Sequence, residues 1–236
     1  MVRGLLIANV VLYVAELILL RTGASFIDGL FLSPFDVLRK GMVWQVGTYM
    51  WFHDPVSPGH LLFNMLWLYI FGTQMEAFWG PKRFLRGYLF FGLGGGLLTV
   101  LLGALAYAPG FSSWLDGFQH TRHLGASGAV IGVTVAWGLA HAKTQVNFFL
   151  LGAMSGMTFV FLIIGIQLLT ALSFSAVSAS AHFGGIGAAF ILCRGLWRPS
   201  RWKQMLRRLQ LKRQKRKIQR ELRLIRSDDD DKTRWN

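Results

Sequence analysis

Long runs without a charge constrain this chain more than any other feature. A helix needs about 20 predominantly apolar residues to cross the hydrocarbon core of a bilayer. Stretches of that kind recur at roughly 4–20, 60–79, 85–107, 125–142, 147–170 and 174–194. Of the 236 residues, 53% are apolar and only 15% charged, with mean hydropathy +0.42. That balance excludes a soluble domain of this size. Only helices and closed barrels satisfy their backbone groups in lipid, and runs of this length are helical. The predicted fold class is therefore an all-α membrane protein with six transmembrane helices. The first run follows Arg3 and superficially resembles a signal peptide, but it is long for one and no A-x-A site follows, so a retained anchor is expected.

Charge is distributed unevenly. Residues 194–236 carry 16 Lys/Arg against 5 Asp/Glu, whereas residues 1–193 carry 9 against 6. This predicts a membrane domain over 1–198 and a basic tail over 199–236. Lys82, Arg83 and Arg86 follow the second span, Lys143 the fourth and the tail the sixth. By the positive-inside rule these segments and both termini face the cytoplasm, as expected of a multi-pass protein of the bacterial cell (inner) membrane. Arg21, Arg39, Lys40 and Arg122 lie on the opposite side. The lone cysteine, Cys193, excludes an intrachain disulfide and reads as inert packing.

The loop over 22–59 falls on the outer side and contains "MVWQVGTYMWFHDP", rich in aromatics and poor in charge. Trp44, Tyr49, Trp51 and Phe52 suit a segment lying in the headgroup region, either as an aromatic belt or as an element half-immersed beside a site.

Polar side chains inside spans are costly and face a protein interior. His60 and Asn64 open the second span in "HLLFN", four residues apart and so on one helix face. Ser127 opens the fourth in "HLGASGAVIG", and His182 lies in the sixth in "AHFGG". Each alone reads as interhelical glue. Gly128, Gly132, Ala136 and Ala140 form a small stripe beside Ser127, and Ala181, Gly185 and Ala189 form another beside His182. Facing stripes let helix backbones approach closely. At that separation the Ser127 hydroxyl and the His182 imidazole can share a hydrogen bond, the arrangement of a base-activated nucleophile. Ser127 follows Gly125-Ala126 at a helix start, where free backbone N–H groups and the helix dipole favour a developing oxyanion. His60 and Asn64 can add side-chain donors. Glu16 sits in the first span and Glu76 near the cytoplasmic end of the second, so a Ser–His dyad without a third carboxylate is expected.

Together these residues resemble the rhomboid family of intramembrane serine proteases. The family pattern is His-x-x-x-Asn at the start of the second core helix, Gly-x-Ser-Gly at the start of the fourth and Ala-His-x-Gly-Gly in the sixth. This chain has "HLLFN" at 60–64, "GASG" at 125–128 and "AHFGG" at 181–185, in that order, and "MEAFWGPKRFLRGYLFFG" at 75–92 is similar to the family's Glu-bearing cytoplasmic junction. The resemblance covers about 4–194. It implies a six-helix rhomboid-like bundle with a membrane-associated first loop and Ser127 as nucleophile. It further implies His182 as general base and acid, and an oxyanion site of His60, Asn64 and the Ser127 amide. The implied substrates are single-span membrane proteins with a small residue before the cut and a helix able to unwind. Two positions depart from the pattern: Trp44-Gln45 stands where the family often has Trp-Arg, and Ile131 where an aromatic often packs on the histidine.

Two rivals fit less well. A non-catalytic relative that binds transmembrane helices would lack the serine or the histidine. A transporter or channel calls for inverted repeats and charged residues along a path, and the sequence has neither. "FGLGGG" at 91–96 lacks the strand–loop–lysine context of a phosphate loop and reads as close helix packing. His53, His120, His123 and His141 have no ligand-like company, so neither metal nor cofactor is expected. The segment 199–226 reads as a helix on anionic headgroups, at roughly 1 kcal/mol per Lys/Arg near the surface, or as a solvated charge run. Nothing besides its charge points to nucleic acid. "DDDDK" at 228–232 is an acidic run within the basic tail.

Overall fold

The computed structural model describes residues 1–107, 117–148, 152–172 and 176–195, with isolated positions of the tail. The chain divides into two compact units, Met1–Cys193 and Arg194–Asn236. Apart from a few helical positions, the segment 199–226 and all of "DDDDK" lie outside the described residues.

The first unit is built on helices α1 (Val2–Arg21), α4 (Pro58–Trp67), α5 (Thr73–Trp79), α6 (Pro81–Leu105), α7 (Ser127–Ala140), α8 (Gly156–Leu172) and α9 (Ala176–Arg194). By length and apolar composition α1 and α6 are able to cross a membrane; α7 and α8 are apolar but shorter. Helices α4 and α5 are joined without a break through a π-helical turn, Leu68–Gly72. Pro58 and Pro81 start α4 and α6 at the position where a missing N–H costs nothing.

The apolar run at 147–170 is not helical from its start. Gln145–Phe148 pairs antiparallel with Gly152–Ser155, as strands β1 and β2, before α8 begins. Thr144, Gln145 and Asn147 interrupt the apolar pattern there, and Gly152 takes φ 72°, a conformation outside any helix. The first loop is folded into short helices. It holds a 3-10 turn at Ser25–Leu30 and helices α2 (Pro34–Lys40) and α3 (Gln45–Thr48). The Ser33 hydroxyl caps α2 by accepting from Asp36 N, and Gly41 ends it at φ 70°.

Helix α7 is apolar on all sides and is buried along nearly its whole length, as such a helix must be. With its own Trp137 it packs into the core of Phe84, Tyr88, Phe91, Phe159 and Met75, all at most 2% exposed. The Trp137 indole N–H donates to Gln74 Oε1 at 2.9 Å, tying α7 to α5. The glycines of "FGLGGG" are packing residues: a Cβ on Gly94 would lie 2.9 Å from Gly184 O of α9, and one on Gly95 would lie 2.7 Å from Ala181 O. A buried hydrogen bond between Thr99 and Ser180 hydroxyls, 2.8 Å, joins α6 and α9 two residues before His182. The polar residues of α1 that would be expensive in lipid, Asn9 and Glu16, are both fully buried.

Candidate active site

The stretch before α7 is held by the first loop. Leu32 and His123 exchange both backbone hydrogen bonds, at 3.0 and 2.8 Å, and Gly125 N donates to Tyr49 O at 3.1 Å. Tyr49 is in turn fixed by its hydroxyl, which donates to Gly92 O of α6 at 2.8 Å. Burial and the neighbouring Tyr88 hold the Tyr49 phenol well above its ordinary range, so it serves as a neutral donor. Gly125 itself adopts φ 127°, open only to glycine, and a Cβ there would lie 2.7 Å from the His60 ring. The chain thus turns sharply under His60 and delivers Ser127 as the first residue of α7.

Gln45 makes the first loop rigid. It is fully buried, its Oε1 accepts from Ser33 N at 3.0 Å and its Nε2 donates to Gly29 O at 3.2 Å. A neutral amide thus bridges two backbone segments at the position where the family often carries arginine. The aromatics assigned to the headgroup region divide. Trp44 is exposed, whereas Tyr49 and Phe52 are buried and Trp51 packs against the core. Their rings satisfy the interior of the unit, and a loop of compact helices gives them that interior to face.

The two small stripes do not simply face one another. Gly128 of α7 and Gly185 of α9 meet so closely that a Cβ on Gly185 would overlap the Gly128 backbone. Gly132, however, lies against the Phe91 ring of α6, and the Ala181 carbonyl lies against Gly95 of α6. The stripes therefore admit α6 as a third partner. At the Gly128–Gly185 contact, His182 Nε2 lies 2.8 Å from Ser127 Oγ. The other ring nitrogen, Nδ1, lies 2.7 Å from Gln167 Oε1 of α8. Sequence reasoning missed Gln167. A Ser–His dyad is expected because no carboxylate serves as third member, and Gln167 is a neutral amide inside an apolar run, although an amide in lipid is itself a signal.

Ser127, His182, His60, Asn64 and Gln167 line a single cavity of about 800 Å³. Asp54 N donates to His60 Nδ1 at 3.4 Å, which leaves the proton on His60 Nε2, the atom next to Gly125. Asn64 Nδ2 donates to His60 O at 2.9 Å, one of its two N–H groups. The residue before α7, Ala126, offers no capping side chain, so the first-turn N–H groups of α7 are available to a ligand oxygen. Behind His60 lies His53, with ring centroids 5.4 Å apart. Its backbone N–H donates to Glu16 Oε2 at 3.1 Å, and burial, reinforced by His60, depresses its imidazole to about 3.

A family model described as a rhomboid domain matches residues 40–199, two thirds of the sequence. The chain belongs to the rhomboid family. Its similarity to curated rhomboids is distant. It is 28% identical over 194 residues to RHOMBOID-like protein 12, mitochondrial, of Arabidopsis thaliana, covering 80% of this chain and 56% of that one. With RHOMBOID-like protein 6, mitochondrial, of the same plant it shares 31% over 156 residues, covering 66% and 44%. With Rhomboid protease AarA of Providencia stuartii it shares 28% over 145 residues, covering 56% and 51%. The chain thus spans about half the length of the curated relatives it matches. Rhomboids are membrane-embedded, and the two long apolar helices fit that setting.

Proposed function

We propose that this rhomboid is an intramembrane serine endopeptidase that cleaves transmembrane segments of single-span membrane proteins. The observation that carries the reading is the 2.8 Å approach of His182 Nε2 to Ser127 Oγ in a cavity shared with His60 and Asn64. A relative that only bound helices would have no use for a base on its serine.

In the proposed reaction Ser127 Oγ attacks the scissile carbonyl carbon as its proton passes to His182 Nε2. The carbonyl oxygen becomes an oxyanion, met by the Ser127 N–H, His60 Nε2 and the free N–H of Asn64. One such donor contributes about 10²–10³ in rate. The C–N bond then breaks, the imidazolium gives its proton to the leaving amine, and the acyl group remains on Oγ. Water attacks the ester, its proton goes to Nε2, and collapse returns the proton to Oγ with release of the new carboxyl. A peptide bond within a helix hides its carbonyl in the i→i+4 ladder, so the substrate has to unwind locally.

The membrane arrangement belongs to the same proposal. The six apolar segments cross the bilayer with both termini on the cytoplasmic side, the orientation that Lys82, Arg83, Arg86 and Lys143 favour. Helix α7, with 14 residues, is about 21 Å long at 1.5 Å per residue, shorter than the roughly 30 Å hydrocarbon core. Its first residue, Ser127, then lies below the outer surface, and the cavity above it admits water. The basic tail lies on anionic headgroups. The bacterial cell membrane is the proposed residence, although two relatives carry mitochondrial names, and fractionation of the native cells decides it. The reaction is tested by coexpression with tagged single-span proteins carrying a small residue near the outer face. Wild type should release a fragment that Ser127→Ala does not; equal fragments from both would remove the serine from the reaction.

A further inference from the structure

We propose that Gln167 is the positioning residue of the catalytic centre, holding His182 in the one tautomer that can activate Ser127; this rests on the protease reading above. A neutral imidazole has one N–H and one bare nitrogen, and only a bare Nε2 can take a proton from Ser127. Gln167 Oε1 is an acceptor 2.7 Å from Nδ1. When Nδ1–H donates to it, the lone pair is left on Nε2, 2.8 Å from Ser127 Oγ. The opposite amide rotamer would turn its NH₂ toward Nδ1, place the ring proton on Nε2 and make Ser127 the acceptor. That network leaves the hydroxyl unable to give up its proton. The two arrangements have the same heavy-atom positions but opposite chemistry.

The choice of an amide has a physical reason. Gln167 is 9% exposed and sits within an otherwise apolar helix, where a carboxylate would cost several kcal/mol to bury. An amide oxygen supplies the acceptor without the charge. It fixes the ring plane and the tautomer, which is the orienting part of the third residue's role in soluble serine hydrolases. Among the described residues no carboxylate is hydrogen-bonded to His182; Glu16 is engaged with the His53 backbone instead.

The test uses the full chain in detergent, with Gln167→Met and Gln167→Leu to remove the acceptor in two shapes and Gln167→Glu to restore it. Both apolar variants should lower kcat on a model single-span substrate about 10- to 100-fold, a part of the 10²–10⁴ that general-base catalysis contributes in full, with KM unchanged. The glutamate variant, which restores an acceptor, should recover most of the lost kcat while melting earlier than wild type, because its charge is costly to bury. Independently of activity, ¹⁵N chemical shifts of histidine-labelled protein at alkaline pH report the tautomer, with His182 assigned by subtraction of the His182→Ala spectrum. Wild type should carry the proton on Nδ1, and the apolar variants should lose that preference. Wild-type kcat in both apolar variants, or a proton on Nε2 in the wild type, overturns the inference. If the tautomer depends on Gln167 but the wild type cleaves no single-span substrate, the positioning contact stands and the protease reading falls.

Discussion

His182 Nε2 approaches Ser127 Oγ to 2.8 Å across a separation of 55 residues. What brings them together is not an attraction between the two side chains but the absence of side chains beside them. Gly128 and Gly185 allow the backbones of α7 and α9 to touch, and the thin walls of α6 at Gly92, Gly94 and Gly95 allow α9 and the first loop to close over that contact. The polar pair rides on a packing arrangement that would hold without it.

That dependence can be measured with one methyl group. Gly185→Ala places a Cβ against the Gly128 backbone, where nothing flexible can yield. Overpacking of this kind costs about 1–3 kcal/mol, and separation of α7 from α9 should pull His182 from Ser127. The variant should melt earlier and lose activity. Gly187→Ala, on the open side of the same helix, should match wild type in both. Equal behaviour of the two variants would mean that α7 and α9 are not as close as described.

Asn64 separates catalysis from glue. Its ground-state bond is a local one to His60 O, so Asn64→Ala should leave the melting temperature nearly unchanged. As an oxyanion donor it contributes mainly in the transition state, and kcat should fall by about 10²–10³ with little change in KM. A large loss of stability with normal specific activity would return Asn64 to a structural role.

How much of this was legible beforehand depends on the scale of the signal. Ser127, His182, His60 and Asn64 stand out because each is a polar group in a run that lipid should reject, and the small residues beside two of them imply close approach. The close packing of α6 was legible in "FGLGGG" for the same reason. The β1–β2 hairpin was not, because an apolar run read for length hides a turn governed by Gly152. Nor was the burial of Tyr49 and Phe52: their side chains answer to the tertiary interior, whereas an aromatic-rich loop read alone suggests an aromatic belt or an element half-immersed beside a site. Gln167 was visible as a residue and invisible as a partner, since its role depends on which face of α8 meets α9.

His53 gives the fold a pH limit. Its imidazole is buried neutral, depressed from an ordinary value near 6.5 to about 3. Between those values the unfolded chain binds the proton and the folded one does not, so stability rises with pH across that window. This contribution is fully present above about 6.5 and is lost progressively as pH falls toward 3. The melting temperature in detergent should therefore drop on acidification below about 6.5, and His53→Gln should show a shallower drop. Parallel profiles for the two proteins would show that His53 is solvated.

The most direct test of the central claim is the reactivity of Ser127 toward a fluorophosphonate probe, with and without His182. An isolated alcohol does not react with such a probe at a useful rate; a serine whose proton is taken by an imidazole does. Wild type should be labelled on Ser127 and should cleave a model transmembrane substrate, and Ser127→Ala and His182→Ala should each do neither. The double variant should be no worse than either single one, because nucleophile and base act as a unit. Melting curves should show that His182→Ala remains folded. Labelling and cleavage at the wild-type rate by folded His182→Ala would contradict the account.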